Sequence, residues 1–410
     1  MVFRQPAGLG ILACPGGASF ADEVLKHLAA IHRKKLKHKA EVLSRHYKMS
    51  SKEVIRRISF LEDFYAPEVV SPGMSLPVST EHFRIPVKFT RFANGEFKAE
   101  LQSSVRGKDV YIFQDVENHY PRKFNKCEDE YLLSVNDHVL SLFVAVDTAF
   151  QAGAERITVV IPAYPFSRQH EKKGREALTA SWFGRTLEYM GVSRIITLDI
   201  HSKEIENTFN HLRLENLHGS YQTLKKLASI LDLKDPNLVV VSPDTGAVDR
   251  NKYYAGNLQK PLALLYKERD YSRVTQNASD NNITNMRLLG SVEGKTVFMA
   301  DDLLGTGGTL IKAMEYLKSM GAEKIIAAIS LPLFSGDAVE HFEQAYRRGI
   351  FYRVVGTNAV FHDEKLLSRE WYVSVNVAPL FARIIHRLHH NRSLSALLDN
   401  SQCIQRLLQG

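Results

Sequence analysis

From residue 84 onward, short apolar segments alternate with longer amphipathic segments. The apolar segments predict strands over 110–113, 157–161, 195–198, 238–241, 296–300 and 324–329, and the amphipathic ones predict helices over 135–150, 179–190 and 309–320. Strands joined in series by crossover helices form parallel sheets with helices on both faces. The pattern recurs in both halves of the chain, so we predict an α/β fold with two similar domains of parallel sheets flanked by helices.

A chain of 410 residues suits two or three domains of roughly 100–200 residues each. We place an N-terminal domain at 8–218 and a C-terminal domain at 219–400. Residues 31–85 read as an insertion into the first domain, because a basic stretch, IHRKKLKHKAEVLSRHYK, is followed by four prolines between 66 and 86. A charge run of this kind usually forms a solvated helix face, and less often a patch for anions or RNA.

The composition excludes several classes of protein. Hydrophobic residues make up 44% and charged residues 24%, as in ordinary globular chains, and the net charge of +8 is mild for this length. Three widely separated cysteines, Cys14, Cys127 and Cys403, predict reduced thiols in a cytoplasmic protein. No apolar run approaches the ~20 residues of a membrane span, so a membrane partner is not expected. The mild net charge does not indicate a nucleic-acid partner either.

Near the N-terminus, Gly16 and Gly17 predict a phosphate-sized turn after a first strand.

Acidic residues and a histidine follow the predicted strands directly. Asp199 and His201 come after one strand, Asp244 after the next, and Asp301 with Asp302 after the third. Ligands of parallel sheets bind beyond the carboxyl ends of the strands. These positions therefore predict the binding edge of each sheet.

The strongest motif is VFMADDLLGTGGTLIKAMEYL, in which a strand leads through two carboxylates and a glycine-rich turn into a helix. Small residues let successive N–H groups point at one phosphate, and the helix N-terminus adds partial positive charge. Carboxylates can accept hydrogen bonds from sugar hydroxyls. We therefore predict a pentose 5-phosphate site on Asp301, Asp302, Thr306, Gly307, Gly308 and Thr309.

This loop resembles the one that binds phosphoribosyl pyrophosphate in type I phosphoribosyltransferases and ribose-phosphate diphosphokinases. Other segments favour the diphosphokinases, and they are collinear over roughly residues 8–30 and 84–400. These segments are FANGEFKAEL, IPAYPFSRQHEKKGREALTA, VSRIITLDIHSKEIENTF, VVVSPDTGAVDR, LALLYKERDYSR and VNVAPLFARIIHRLHHNRSLSALLD. The chain thus resembles the ribose-phosphate pyrophosphokinase family, which implies two type I phosphoribosyltransferase-like domains.

The resemblance implies transfer of diphosphate from ATP to the 1-hydroxyl of ribose 5-phosphate, with Mg²⁺ as the cofactor. It assigns the metal to His201, Asp244 and Asp199, and charge stabilisation to Lys267 and Arg269 at the start of a polar loop, 271–286. Part of the ATP site in this family comes from a neighbouring subunit, so a homo-oligomer based on dimers, up to a hexamer, is expected. The implied ATP-binding residues are Phe92, Asn94, Glu96, Arg168 and Gln169.

The sequence departs from the family pattern at three places. Gly305 stands where a third Asp is usual, Ala247 stands where a second Gly is usual, and the stretch after Gln169 carries His170 and Glu171 and is one residue shorter. These changes leave two alternatives to an active synthase. One is a catalytically weak regulatory paralogue, and the other, suggested by Gly305, is a type I phosphoribosyltransferase.

Overall fold

The computed structural model describes residues 8–54, 80–125, 129–172, 174–269 and 283–409. It divides the chain into two units, of which unit 1 holds residues 1–216 and 378–397 and unit 2 holds 217–377 and 398–410. No helix among the described residues is long and apolar enough to cross a bilayer.

A five-stranded sheet forms the centre of unit 1, in the order β1-β4-β7-β8-β9, and the pairings of β1 with β4, β4 with β7 and β7 with β8 are parallel. Two short two-stranded sheets accompany it. The strands of unit 1 are β1 (Leu9–Ala13), β2 (Val87–Arg91), β3 (Phe97–Leu101), β4 (Asp109–Phe113), β5 (Arg122–Lys123), β6 (Glu130–Tyr131), β7 (Arg156–Val160), β8 (Arg194–Leu198) and β9 (Arg213–Leu217). Its helices are α1 (Ala18–Tyr47), α2 (Val135–Gln151), α3 (Thr179–Tyr189), α9 (Ala378–His389) and α10 (Ser395–Leu398), with 3₁₀ turns at Thr80–His82 and Lys203–Thr208.

Unit 2 is built on a seven-stranded sheet in the order β12-β11-β10-β13-β14-β15-β16, in which only the pairing of β11 with β12 is antiparallel. Its strands are β10 (Leu238–Ser242), β11 (Leu262–Arg269), β12 (Ile283–Leu289), β13 (Thr296–Leu304), β14 (Lys324–Pro332), β15 (Arg353–Thr357) and β16 (Tyr372–Val375). Its helices are α4 (Ser220–Leu227), α5 (Val248–Leu258), α6 (Gly308–Ser319), α7 (Ala338–Arg347), α8 (Glu364–Leu367) and α11 (Ser401–Gln409).

The strands at the centre of both sheets are buried on both faces, which explains their continuous apolar runs. In unit 1 the fully buried strand residues include Val110, Ile112 and Val159, and in unit 2 they include Val241 and Val297. Each unit has its own apolar core.

Residues 378–397 pack in unit 1, although they lie within the range 219–400 predicted for the second domain. The apolar face of α9 explains this, because Phe381 and Ile385 are buried and the ring of Phe381 packs edge-on against Phe20 of α1 with centroids 5.0 Å apart. Residues 378–397 thus complete the first unit.

The insertion predicted at 31–85 is continuous with the first helix, because α1 runs for 30 residues to Tyr47. The first turns of α1 bury the side chains of Phe20, Val24, Leu25 and Leu28, whereas most of the residues after Ala30 are exposed or partly exposed. Residues 55–79 of the insertion lie outside the described residues.

Candidate active site

Three carboxylates meet at the carboxyl edge of the sheet in unit 2. Asp244 follows β10, and Asp301 and Asp302 lie in the adjacent strand β13. The backbone N–H of Asp302 donates to Oδ1 of Asp301 over 2.9 Å. Burial, the Asp302 carboxyl and then Asp244 raise the pKa of Asp301 well above its usual value. The site therefore concentrates negative charge that a cation or a hydroxyl donor would relieve.

The sequence predicts Asp301 and Asp302 beyond the end of their strand. In the structure both lie within β13. The strand continues to Leu304, where Leu303 pairs with Leu331 and Leu304 with Pro332 of β14. Pairing with β14 holds the backbone extended even though the two acids break the apolar run. The carboxylates are thus fixed by the sheet instead of by a loop.

The glycine-rich turn joins β13 to α6 without a side-chain cap. Gly307 occupies the N-cap position with φ of 75°, and as a glycine it has no side chain that could cap the helix. Thr306 is exposed, and Gly308 and Thr309 begin the helix. Uncapped N–H groups at a helix N-terminus favour an anion.

Asn251 connects the turn after β10 to strand β13. Its side-chain N–H₂ donates to the carbonyls of Ala247 and Ala300 over 2.8 Å each, and its side-chain oxygen accepts from the N–H of Ala300 over 2.9 Å. Asn251 is fully buried. It thereby holds Asp244's turn against the residue that precedes Asp301, a role that no local motif indicated.

In unit 1 the predicted residues follow the neighbouring strands β7 and β8. Arg168 and Gln169 are exposed in the segment after β7, and Asp199 and exposed His201 come directly after β8. The rings of His170 and His201 are in edge contact, with centroids 5.5 Å apart. The structure thus brings the Arg168-Gln169 segment beside His201, and the contact runs through a residue that the sequence analysis noted only as a departure.

Two residues at this edge have left-handed backbone angles that non-glycine residues seldom adopt. Asp199 has φ of 45° and Phe166 has φ of 58°. Asp199 is also buried, and the N–H of Ile200 after it is held by the side-chain oxygen of Asn216 over 3.0 Å. Such angles cost about 1–3 kcal/mol and occur preferentially at functional sites.

Phe92, Asn94 and Glu96 form the exposed tip of the β2-β3 hairpin. The N–H of Phe92 donates to the carbonyl of Glu96 over 2.8 Å, and the N–H of Glu96 donates to the Asn94 side chain over 3.2 Å. The Phe92 ring is 46% exposed in the single chain. These three side chains project together from one turn.

Lys267 and Arg269 are the last residues of β11 whose backbone is described, and they pair with Met286 and Ile283 of β12. Their side chains, and residues 270–282 of the predicted polar loop, lie outside the described residues. Both residues belong to unit 2, together with Asp244 and Asp301.

Comparison with known proteins identifies the family. A model of the N-terminal domain of ribose phosphate pyrophosphokinase matches residues 78–191, and a phosphoribosyl transferase domain model matches 211–363. Ribose-phosphate pyrophosphokinase A of Dictyostelium discoideum is 32% identical over 76% of this chain and 89% of its own length. The ribose-phosphate pyrophosphokinase of Bacillus subtilis is 33% identical over 76% and 88%. The chain belongs to the ribose-phosphate pyrophosphokinase family. This confirms the predicted family and enzyme class.

The fold of this chain is similar to that of a protein of known crystal structure. Phosphoribosylpyrophosphate synthetase from Mycobacterium smegmatis matches 94% of this chain and 99% of its own, with a TM-score of 0.66 and 23% identity. At that identity the match shows the fold alone, and it confirms the predicted α/β class. The first of the two family matches begins at residue 78, so the N-terminal part of the chain, including α1, precedes both.

One departure from the family pattern has an ordinary structure. Ala247 has φ of −91°, which any residue adopts, and its N–H donates to Oδ1 of Asp244 over 3.0 Å. The methyl group therefore requires no change in the turn that carries Asp244.

The predicted turn at Gly16 and Gly17 follows β1 and packs against the end of β4. A Cβ on Gly16 would overlap the Asp115 carbonyl, and one on Gly17 would overlap the backbone of Phe113. Glycine is needed at both positions because the chain packs closely against the backbone at the end of β4.

Proposed function

We propose that this pyrophosphokinase-family chain is a ribose-phosphate diphosphokinase, which transfers diphosphate from Mg-ATP to the 1-hydroxyl of ribose 5-phosphate. The oxygen of that hydroxyl bonds to the β-phosphorus while the bond from this phosphorus to the oxygen of AMP breaks, and the hydroxyl proton leaves to solvent. The observation that carries the proposal is the pair Asp301-Asp302 next to the N-terminus of α6, where the N-cap residue is Gly307. A site for a sugar phosphate needs acceptors for the sugar hydroxyls next to N–H donors for the phosphate.

Ribose 5-phosphate binds through its two ends. The phosphate accepts hydrogen bonds from the N–H groups at Gly307, Gly308 and Thr309 and from the hydroxyls of Thr306 and Thr309, whereas Asp301 and Asp302 hold the sugar hydroxyls. The raised pKa of Asp301 supports this, because a carboxyl that shares its site with another gains by accepting from a hydroxyl.

The oxygen-rich edge of unit 2 fits Mg²⁺, because Asp244 is a carboxylate beside two others and Mg²⁺ prefers oxygen ligands. In unit 2 Asp244 would hold the ion, and Asp199 and His201 are the metal ligands that the family resemblance implies in unit 1. Bound there, Mg²⁺ supplies charge neutralisation of the ATP phosphates, on which phosphoryl transfer largely depends. Lys267 and Arg269 stabilise the charge that develops as AMP leaves.

ATP binds against Arg168 and Gln169, with an arginine guanidinium able to stack on adenine. Phe92, Asn94 and Glu96 complete the adenine site of a second copy, so the active form is a homo-oligomer. Their joint exposure at one hairpin tip supports this assignment, because an exposed aromatic side chain beside polar groups suits a nucleobase.

The test is formation of AMP and phosphoribosyl pyrophosphate by the purified full chain with ATP, ribose 5-phosphate and Mg²⁺. We expect both products in equal amounts, and neither when one substrate is omitted. Absence of turnover over a range of Mg²⁺ and phosphate would contradict the proposal and favour the regulatory paralogue, for which Gly305 and residues 170–174 are the substitutions to examine. Turnover of phosphoribosyl pyrophosphate with a nucleobase would instead identify a phosphoribosyltransferase.

A further inference from the structure

Three histidines converge in unit 1, and none of them is among the candidate active-site residues. His32 lies on α1, His386 lies on α9, and His390 follows one turn after His386. Nδ1 of His386 and Nε2 of His32 are 3.2 Å apart. One ring nitrogen of each histidine lies within 4.8 Å of the others, so the three rings surround a common point.

The three rings lie close together, at spacings that ligands of one ion could have. His386 and His390 are in edge contact with centroids 4.5 Å apart, and so are His386 and His32 at 4.9 Å. His386 and His390 are separated by four residues, which puts both on one face of a helical turn. Tetrahedral coordination with metal–nitrogen bonds of about 2.0–2.1 Å separates ligand nitrogens by about 3.3 Å, close to the distance between His32 and His386.

The surroundings keep these rings neutral. Burial and neighbouring histidines and lysine lower the pKa of His32 to about 4, and burial with similar neighbours lowers those of His386 and His390 to about 3 and about 4. Neutral imidazole has a lone pair for a metal, whereas imidazolium does not. The ammonium of Lys35 also contacts Nε2 of His386, which leaves Nδ1 of this ring facing His32.

The charges near the cluster indicate which metal it would accept. Lys35 and Arg392 raise the positive potential at His386 and His390, and Asp109 opposes it at His390. A hard ion such as Mg²⁺, which relies on anionic oxygen ligands, is therefore disfavoured. A transition metal that forms strong bonds to neutral imidazole tolerates such surroundings better.

We propose that His32, His386 and His390 form a binding site for a divalent transition metal of the Zn²⁺ type, with a fourth position open to water. The burial of His386 and the exposure of His390 give the ion one protected side and one entry path. The ligand set matches the three-histidine sites in which water completes the coordination.

A metal at this site would link α9 to α1 through His386 and His32, which are 354 residues apart in the sequence. Because the ion binds the folded chain in preference to the unfolded one, it stabilises unit 1 by an amount that grows with the logarithm of its free concentration once this exceeds Kd. The site would thus make the packing of α9 on α1 more stable when metal is bound.

The test uses the full chain stripped with EDTA and then titrated with Zn²⁺ in excess Mg²⁺, with bound Zn²⁺ measured by equilibrium dialysis. We compare wild type with His390→Ala, whose side chain is exposed and so tolerates substitution, and with His46→Ala as the control on the same helix α1. Other Zn²⁺ sites are shared by all three proteins, so the difference between them isolates this cluster.

We expect wild type and His46→Ala to bind one more Zn²⁺ than His390→Ala, or to bind it about 100-fold more tightly, since even changes to outer-shell partners cost about 10–100-fold. Zn²⁺ should raise the Tm of unit 1 in wild type and not in His390→Ala. Co²⁺ should give the visible absorption of a tetrahedral site. Equal stoichiometry, affinity and Tm shift in wild type and His390→Ala would overturn the proposal, and circular dichroism with a His390→Gln variant checks that folding is intact.

Discussion

The backbone N–H of Asp302 donates to Oδ1 of Asp301 over 2.9 Å, so one acid of the pair partly solvates the other. Burial and the carboxyls of Asp302 and Asp244 nevertheless raise the pKa of Asp301. The two carboxyls therefore lower the stability of the ligand-free protein, and they hold negative charge where a substrate would bind.

Asp301→Asn should stabilise the ligand-free protein and abolish most of its activity. A carboxyl with a raised folded pKa contributes stability that is full below its unfolded pKa of about 3.9 and is lost as the pH rises through the folded value. The variant avoids that loss, so its Tm should exceed that of wild type at pH 8, by about 2–4 °C per kcal/mol, and the gain should shrink in acid. Asp249→Asn, at an exposed site of α5, is the control and should show no such gain. A gain that is independent of pH would contradict the explanation.

Gly307→Ala should disrupt the glycine-rich turn, and Gly308→Ala should not. Gly307 has φ of 75°, and a Cβ there would overlap the ring of Phe342, whereas a Cβ on Gly308 meets nothing within 4 Å. Overpacking and a strained φ together should cost about 2–4 kcal/mol at Gly307. Urea denaturation of both variants measures the difference, and equal stabilities would show that Phe342 does not constrain the turn.

The order of strands and helices could be predicted because apolar runs and crossover helices obey strong local rules, and the positions of Asp199 and Asp244 followed from the strand ends. The length of β13 could not, since Asp301 and Asp302 interrupt its apolar run and its last residues are held by pairing with Leu331 and Pro332 of β14. Nor could the contact of His32 with His386, because helix packing alone brings residues so far apart in sequence together.

His201→Ala should raise the Mg²⁺ concentration needed for half-maximal turnover by about tenfold or more, the scale on which site partners act. The maximal rate at saturating Mg²⁺ should fall less than the apparent affinity for the ion. His341→Ala, exposed on α7, is the matched control. An unchanged Mg²⁺ curve in His201→Ala would remove His201 from the predicted ligands.

Lys267→Ala should leave folding intact and lower kcat by about 100-fold or more, because loss of one charge-stabilising donor in a transition state has that effect. Lys225→Ala, at an exposed position of α4, should retain the wild-type rate. Steady-state assays of AMP release measure both. Normal turnover in Lys267→Ala would mean that this strand end does not contact the reacting phosphates.

Asp109→Asn should destabilise unit 1 by about 3–5 kcal/mol, because it leaves the guanidinium of Arg156 without its buried anionic partner. Asp109 is fully buried, and burial alone would raise its pKa, but hydrogen bonds from Arg156 and His389 outweigh burial and hold the pKa below its usual value. A carboxylate with a lowered pKa contributes stability above its unfolded pKa of about 3.9 and loses it as the pH falls through the folded value. The difference in unfolding free energy between wild type and variant should therefore be constant from about pH 5 to 7 and decrease below about pH 4. Glu100→Gln, which removes an exposed ion pair with Lys98, should change neither quantity measurably. A difference that persists undiminished in acid would show that shape, and not the charge of Asp109, is what unit 1 requires at this position.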